Sequence, residues 1–155
     1  MHTVDARWIA AAPERVFEFA SRVEEWPRIL PHYRWVRLQG PPRPDGARRV
    51  EMAAYRPFGP FNWPTWWESE MWVDAERRQV RYRHVRGVTR GMDVLWTVEP
   101  KDGGTQATIV HEWRGPRWPL IGPWVADFLI GPVFVSGIAS RTLSGIGRAA
   151  EVPVE

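Results

Sequence analysis

The chain of 155 residues has no cysteine, which excludes disulfides, thiolate nucleophiles, iron–sulfur clusters and zinc–thiolate sites. Lysine is almost missing as well: Lys101 stands alone, and arginine supplies the rest of the 21 basic residues. Those arginines are scattered, leave a net charge of +3 and form no basic stripe, so nucleic acid is not an expected partner. No apolar signal run opens the chain, where His2-Thr3-Val4-Asp5-Ala6-Arg7 stands, and a cytoplasmic location is expected. There is no Gly-x-Ser-x-Gly elbow and no phosphate loop. Gly145-Ile146-Gly147-Arg148-Ala149-Ala150 imitates a dinucleotide fingerprint, but no strand precedes it. No cofactor is expected.

Long uncharged stretches are also scarce, with one exception. Residues 118–138 carry a single charge, Asp127, over a length that would cross a bilayer. Pro119, Pro123 and Pro132 with Gly122, Gly131 and Gly137 break up that run. Asp127 would add about 2.5–3.5 kcal/mol to insertion. A loop followed by a helix packed on an apolar surface is the expected structure.

Aromatic residues and proline are what the chain has in excess: 11 tryptophans and 15 prolines. At 44% hydrophobic and 25% charged, it reads as one globular domain over 1–155. Val4, Ala6, Trp8 and Ala10 alternate with Thr3, Asp5, Arg7 and Ile9, which predicts a first strand with the former set inward. Ala12-Pro13-Glu14-Arg15-Val16-Phe17 predicts a helix start, with proline at the first position. A second short helix carries Trp26, Ile29 and Leu30 and ends before Pro31. Period-two segments follow at 33–39, 48–55, 66–73, 80–85, 92–98 and 105–113, joined by turn-rich connections. A helical pattern over 125–151 closes the chain. The expected fold is α+β: a curved seven-stranded antiparallel sheet wrapped around a long C-terminal helix, with two short helices between strands 1 and 2.

Strand parity gives a candidate lining for the space between sheet and helix. The inward set is Trp67, Ser69, Met71 and Val73; Val80, Tyr82 and His84; Met92, Val94, Trp96 and Val98; Ala107, Ile109, His111 and Trp113. Glu68 and Glu70 fall on the opposite face, which is expected to be wet. Eleven tryptophans are hard to place in a filled core, because each can bury about 150–250 Å² and its N–H needs a partner. An aromatic-walled pocket accounts for them better.

Several motifs, in this order and spacing, resemble the START-related helix-grip superfamily (SRPBCC), and within it the polyketide cyclase/dehydrase-like branch. They are Ala12-Pro13-Glu14-Arg15-Val16-Phe17, Trp26-Pro27 with Tyr33, Trp67-Glu68-Ser69-Glu70 with Asp74 and Arg78, Met92-Asp93-Val94-Leu95-Trp96, Gly103-Gly104-Thr105 and Arg141. The resemblance implies a hydrophobic cavity that takes a lipid, isoprenoid or polyketide. Trp26 and Tyr33 of its second-helix signature join the strand-parity residues Trp67, Ser69, Met71, Tyr82, His84, Met92, Trp96, His111 and Trp113 as the expected ligand-binding set. The aromatase/cyclases it resembles use an arginine on the fourth strand, another on the fifth, a tyrosine after the second helix and an asparagine on the last helix. Here only the tyrosine is kept, as Tyr33; Met71, His84 and Gly137 stand at the other positions. Methionine cannot replace a guanidinium donor.

Three functions follow as expectations. The first is binding of a hydrophobic small molecule with little or no catalysis. The second is an aromatase/cyclase or dehydratase in which His84 is acid or base and Tyr33 a donor, with His111 or Tyr82 assisting. In the first, both histidines are simply neutral, hydrogen-bonded cavity residues. The third is a membrane-peripheral lipid or quinone carrier. Two separated histidines without a third ligand make no metal site. Residues 56–64, with Phe58, Phe61 and Trp63 among prolines that prevent regular pairing, read as a rigid loop packed over one end of the sheet, or as a lid or membrane foot joined at the rim by residues 117–124. A membrane or an acyl carrier would be a transient partner, and the chain is expected as a monomer or homodimer.

Overall fold

The computed structural model describes residues 1–58, 60–116, 120 and 135–153, with backbone alone at 57 and 58. Strand β1 (His2–Ile9) leads into helix α1 (Pro13–Ser21), a 3-10 turn (Val23–Glu25) and the short helix α2 (Trp26–Ile29). Six strands follow: β2 (Tyr33–Gln39), β3 (Arg48–Phe58), β4 (Phe61–Asp74), β5 (Gln79–Gly87), β6 (Asp93–Lys101) and β7 (Gly104–Glu112). Helix α3 (Ser136–Glu151) comes last. The strands form one seven-stranded antiparallel sheet in the order β1-β7-β6-β5-β4-β3-β2. With α3 against its concave face, this is the helix-grip α+β fold expected from the sequence. The part of the closing helix expected at 125–134, and the rim at 117–124 apart from Leu120, lie outside the described residues. Among the described residues no helix is long and apolar enough to cross a membrane.

The motif at the start of α1 earns its place through α3. Pro13 sits where a missing N–H costs nothing, and Val16 is fully buried. Arg15 reaches across to the far end of α3, donating to the carbonyls of Ala150 at 2.6 Å and Val152 at 2.7 Å. It thus satisfies acceptors that the helix end leaves unpaired. Glu151 answers from the helix side by accepting the backbone N–H of Ala10 at 3.1 Å. The glycines of the false dinucleotide motif are close-approach points within α3: a Cβ on Gly145 would collide with the Leu30 side chain after α2, and one on Gly147 would press on Arg7 and Ile9.

Three expectations about faces and loops are corrected. In β1 the inward set is the other one. Ile9 is buried, while Val4 and Trp8 are 57% and 46% exposed. Thr3, Asp5 and Arg7 are polar yet point inward because distant partners await them. Thr3 meets His111, Asp5 accepts from Ser136 and Ser140, and Arg7 donates to Ser144.

Second, Glu68 is not wet. It is 4% exposed and held between Arg49 at 2.7 Å and Arg86 at 3.3 Å, pairing that offsets the loss of its hydration.

Third, residues 56–58 and 61–64 are strand and no irregular loop. β3 and β4 pair to the end, Pro57 opposite Asn62 and Pro64 opposite Tyr55. Tyr55 gives its N–H to His32 on the other side, so the Tyr55–Pro64 pair lies at a non-hydrogen-bonded position, and Pro57–Asn62, two residues on, does too. Beyond Ala54 on β3 and Trp67 on β4 there are no further pairs with β2 or β5. The tip is a two-stranded ribbon flanked by no third strand among the described residues, so proline there removes no ladder bond.

Candidate functional site

The site grows from the concave face of β3–β7 and the facing side of α3. β5 carries Tyr82 and His84 inward. Between Glu68 and Ser69 the β4–β5 register slips by one residue, and Gly87 beyond it adopts a φ of +98°. A Cβ there would come within 2.6 Å of the Trp66 carbonyl, so the bulge requires glycine. The bulge turns the connection to β6 over the sheet, bringing Val88 and Thr89 to the cavity.

The result is a cavity of about 80 Å³, room for several water-sized groups. Its sheet wall is Met52, Thr65, Trp66, Trp67, Tyr82, His84, Met92, Val94, Trp96, Ile109 and His111; Trp26 and Tyr33 close one side, Val88 and Thr89 another. Helix α3 and the residue before it contribute Val135, Ile138, Ala139 and Thr142. The aromatic rings touch in sequence. Trp96 lies 5.7 Å from Trp26, Trp26 meets Tyr33 edge-on at 5.1 Å, Tyr33 meets Trp67 at 6.1 Å, and Trp67 stacks on His84 at 5.9 Å. Contacts of this kind are each worth about 0.5–1.5 kcal/mol beyond burial, and they fix a rigid wall.

Of the residues expected at the site, Trp26, Tyr33, Trp67, Tyr82, His84, Met92, Trp96 and His111 line this cavity. Ser69, Met71 and Trp113 are buried but do not line it. Trp113 spends its indole N–H on the Arg90 carbonyl at 2.9 Å. Gly137 lies in the first turn of α3, and a Cβ there would meet no described atom within 4 Å. Sequence reading missed Met52, Thr65, Trp66, Val88, Thr89 and Thr142. Met52 was recoverable by parity and Thr142 by helical spacing from Ile138. Nothing local signals the bulge that delivers Val88 and Thr89.

The polar groups are mostly engaged with one another. His84 Nδ1 lies 2.6 Å from Thr89 Oγ1, and His111 Nδ1 lies 3.3 Å from Thr3 Oγ1. Thr142 donates to the Ile138 carbonyl at 2.8 Å, stands 3.0 Å from His32 Nε2 and hydrogen-bonds Tyr33. Burial drives every histidine here toward the neutral form: His84 falls to about 3, with His111 nearby lowering it further, and His111 falls to about 4. His32 falls to about 4, through burial and then the charges of Arg141 and Arg148. Burial pushes both phenols upward. Among the described residues no group of three His, Asp or Glu could hold a metal ion.

A curved antiparallel sheet gripping a terminal helix around an apolar cavity defines a helix-grip protein. Residues 1–151 match the family described as polyketide cyclase / dehydrase and lipid transport, and the chain belongs to it. No curated protein sequence matches. Solved structures with the same fold include the Zhui aromatase/cyclase from Streptomyces sp. R1128, with a TM-score of 0.79 and 20% identity over 97% of this chain and 93% of that one. TTHA0849 from Thermus thermophilus has a TM-score of 0.77 and 19% identity over 97% of both chains. The major latex-like protein 151 of Panax ginseng has 0.78 and 13%, over 99% of this chain and 98% of that one.

Proposed function

We propose that this protein binds a hydrophobic small molecule of polyketide, lipid or isoprenoid type between sheet and α3, with little or no catalysis. One observation carries this reading: an aromatic cavity wall whose histidines and tyrosines are neutral and largely tied to protein partners. Burying about 300 Å² of apolar ligand surface, which requires sheet and α3 to part beyond the resting volume of about 80 Å³, would contribute roughly 7 kcal/mol at about 25 cal/mol per Å², before the costs of opening, association and ordering. Native mass spectrometry of the protein purified gently from its expression host tests it. A co-purifying apolar molecule, or retention of an added one such as a naphthalene, is expected. Recovery of bare protein with no affinity for any apolar probe overturns it.

An aromatase/cyclase or dehydratase using Tyr33 and His84 is the second reading, favoured by family membership and by the fold shared with the Zhui enzyme. Against it, an imidazole with a pKa of about 3 is a weak base near neutral pH, and Tyr33 is bonded to Thr142. If a polyketide substrate is turned over and both His84→Ala and Tyr33→Phe reduce the rate at least a hundredfold, this reading replaces the first.

A third, transient membrane contact by a lipid or quinone carrier, draws on the hairpin tip, where Phe61 and Trp63 are 71% and 63% exposed. Co-sedimentation with liposomes decides it.

A further inference from the structure

Among the described residues, most polar side chains around the cavity have a protein partner, and the exception is buried. Tyr33 and Thr142 bond each other, and Thr65 donates to the Ala54 carbonyl at 2.9 Å. His84 and His111 are each held through Nδ1 by a threonine. The Tyr82 hydroxyl, by contrast, is wholly buried and has no hydrogen-bond partner among the described residues. Buried hydroxyls are ordinarily paired, and an unpaired one calls for an explanation. Ser69 Oγ shares this condition but does not line the cavity.

Register fixes where the free donor stands. Tyr82 pairs with Met71 on one side and Val94 on the other, and Val94 pairs with His111. The phenol therefore belongs to the middle of the sheet's inner face. Burial, and after it the Tyr33 phenol, push its ionisation upward, so it remains an O–H donor.

Charge supplies the second half of the argument. No Lys, Arg, Asp or Glu is among the described residues that line the cavity. Arg56, the next inward position on β3 after Ala54, is buried but does not line it. A carboxylate entering this space would lose its water and find no counter-charge among the described lining residues, whereas a carbonyl would lose little and gain the Tyr82 proton.

We propose, resting on the binding reading above, that the cavity takes uncharged ligands bearing a ketone, ester or ether oxygen seated on the Tyr82 hydroxyl, and rejects the same skeleton ending in a carboxylate. Equilibrium dialysis at pH 7.5 with three matched probes tests this: 2-acetonaphthone, its hydrocarbon analogue 2-isopropenylnaphthalene, and 2-naphthoate. The ketone is expected to bind about fivefold to tenfold more tightly than the hydrocarbon, the scale of one net hydrogen bond. It should bind at least tenfold more tightly than the carboxylate. Tyr82→Phe should bring the ketone down to the hydrocarbon's affinity, with the variant's fold checked by near-ultraviolet circular dichroism. Naphthoate binding as tightly as the ketone, or no ketone preference in the wild-type protein, overturns the proposal while leaving the cavity as a binding site. Failure of all three probes overturns both. The comparison among probes needs no variant, so a misfolded Tyr82→Phe protein would not blunt it.

Discussion

His84 and His111 can be neutral inside the protein only because folding shields them from protons. An unfolded chain binds a proton at each near the ordinary value of 6.5, whereas the folded one resists until about 3 and 4. Below pH 6.5 the unfolded state therefore holds more protons, and stability falls as pH falls. Each histidine contributes up to about 1.4 kcal/mol per pH unit within that window. Thermal unfolding followed from pH 7 to pH 4 should show a steadily falling midpoint. His84→Leu should flatten that slope, and a midpoint that stays level or rises would contradict the burial described here. A second residue-scale expectation concerns Glu68. Its carboxylate is buried between Arg49 and Arg86, so Glu68→Gln, which keeps the shape and removes the charge, should cost about 1.5–3 kcal/mol in urea unfolding.

Parity alone made Tyr82, His84, Trp96 and His111 legible as inward residues, because each strand's opposite face carries charge. The same rule failed where polarity had a distant cause. Asp5 and Arg7 find their partners on a helix more than 130 positions away, and Glu68 finds Arg49 on a neighbouring strand.

At the level of elements, the hairpin ribbon of β3 and β4 was hidden by its own prolines, which in a central strand would rule out pairing. Their tolerance depends on neighbouring strands ending early, and no local pattern records that. The ribbon's Phe61 and Trp63 support no core. Phe61→Ser with Trp63→Ser should leave unfolding free energy within about 0.5 kcal/mol of wild type. If the tip meets membranes, the same double variant should lose liposome binding. The α1 motif behaves differently. Arg15 serves carbonyls at the end of another helix, so Arg15→Ala should destabilise the protein by about 1–2 kcal/mol. Lysine should restore only part of that, since an ammonium cannot span the same forked set of acceptors. Chemical denaturation of the three proteins measures both numbers.

Across the whole molecule, sheet order and the closing helix were readable from element spacing, whereas the cavity's size was not: it depends on how closely α3 approaches α2 and β1. Gly145 sets one of those approaches. Gly145→Val would drive a branched side chain into Leu30, at a cost of about 1–3 kcal/mol if the contact repacks and more if α3 is displaced. A cooperative unfolding transition shifted by less than about 0.5 kcal/mol would mean that the helix does not depend on this close fit.

Helix α3 is moored at both ends. Its last turn is tied down by Arg15 and Glu151 and its first two turns by Ser136 and Ser140 on Asp5 of β1. The described cavity-lining residues it supplies all come from its first half and the residue before it, so Asp5 acts as a clasp at the pocket end of the rod. Asp5→Ala should therefore hasten amide deuteration around Ile138 and leave the turn at Arg148 as protected as before.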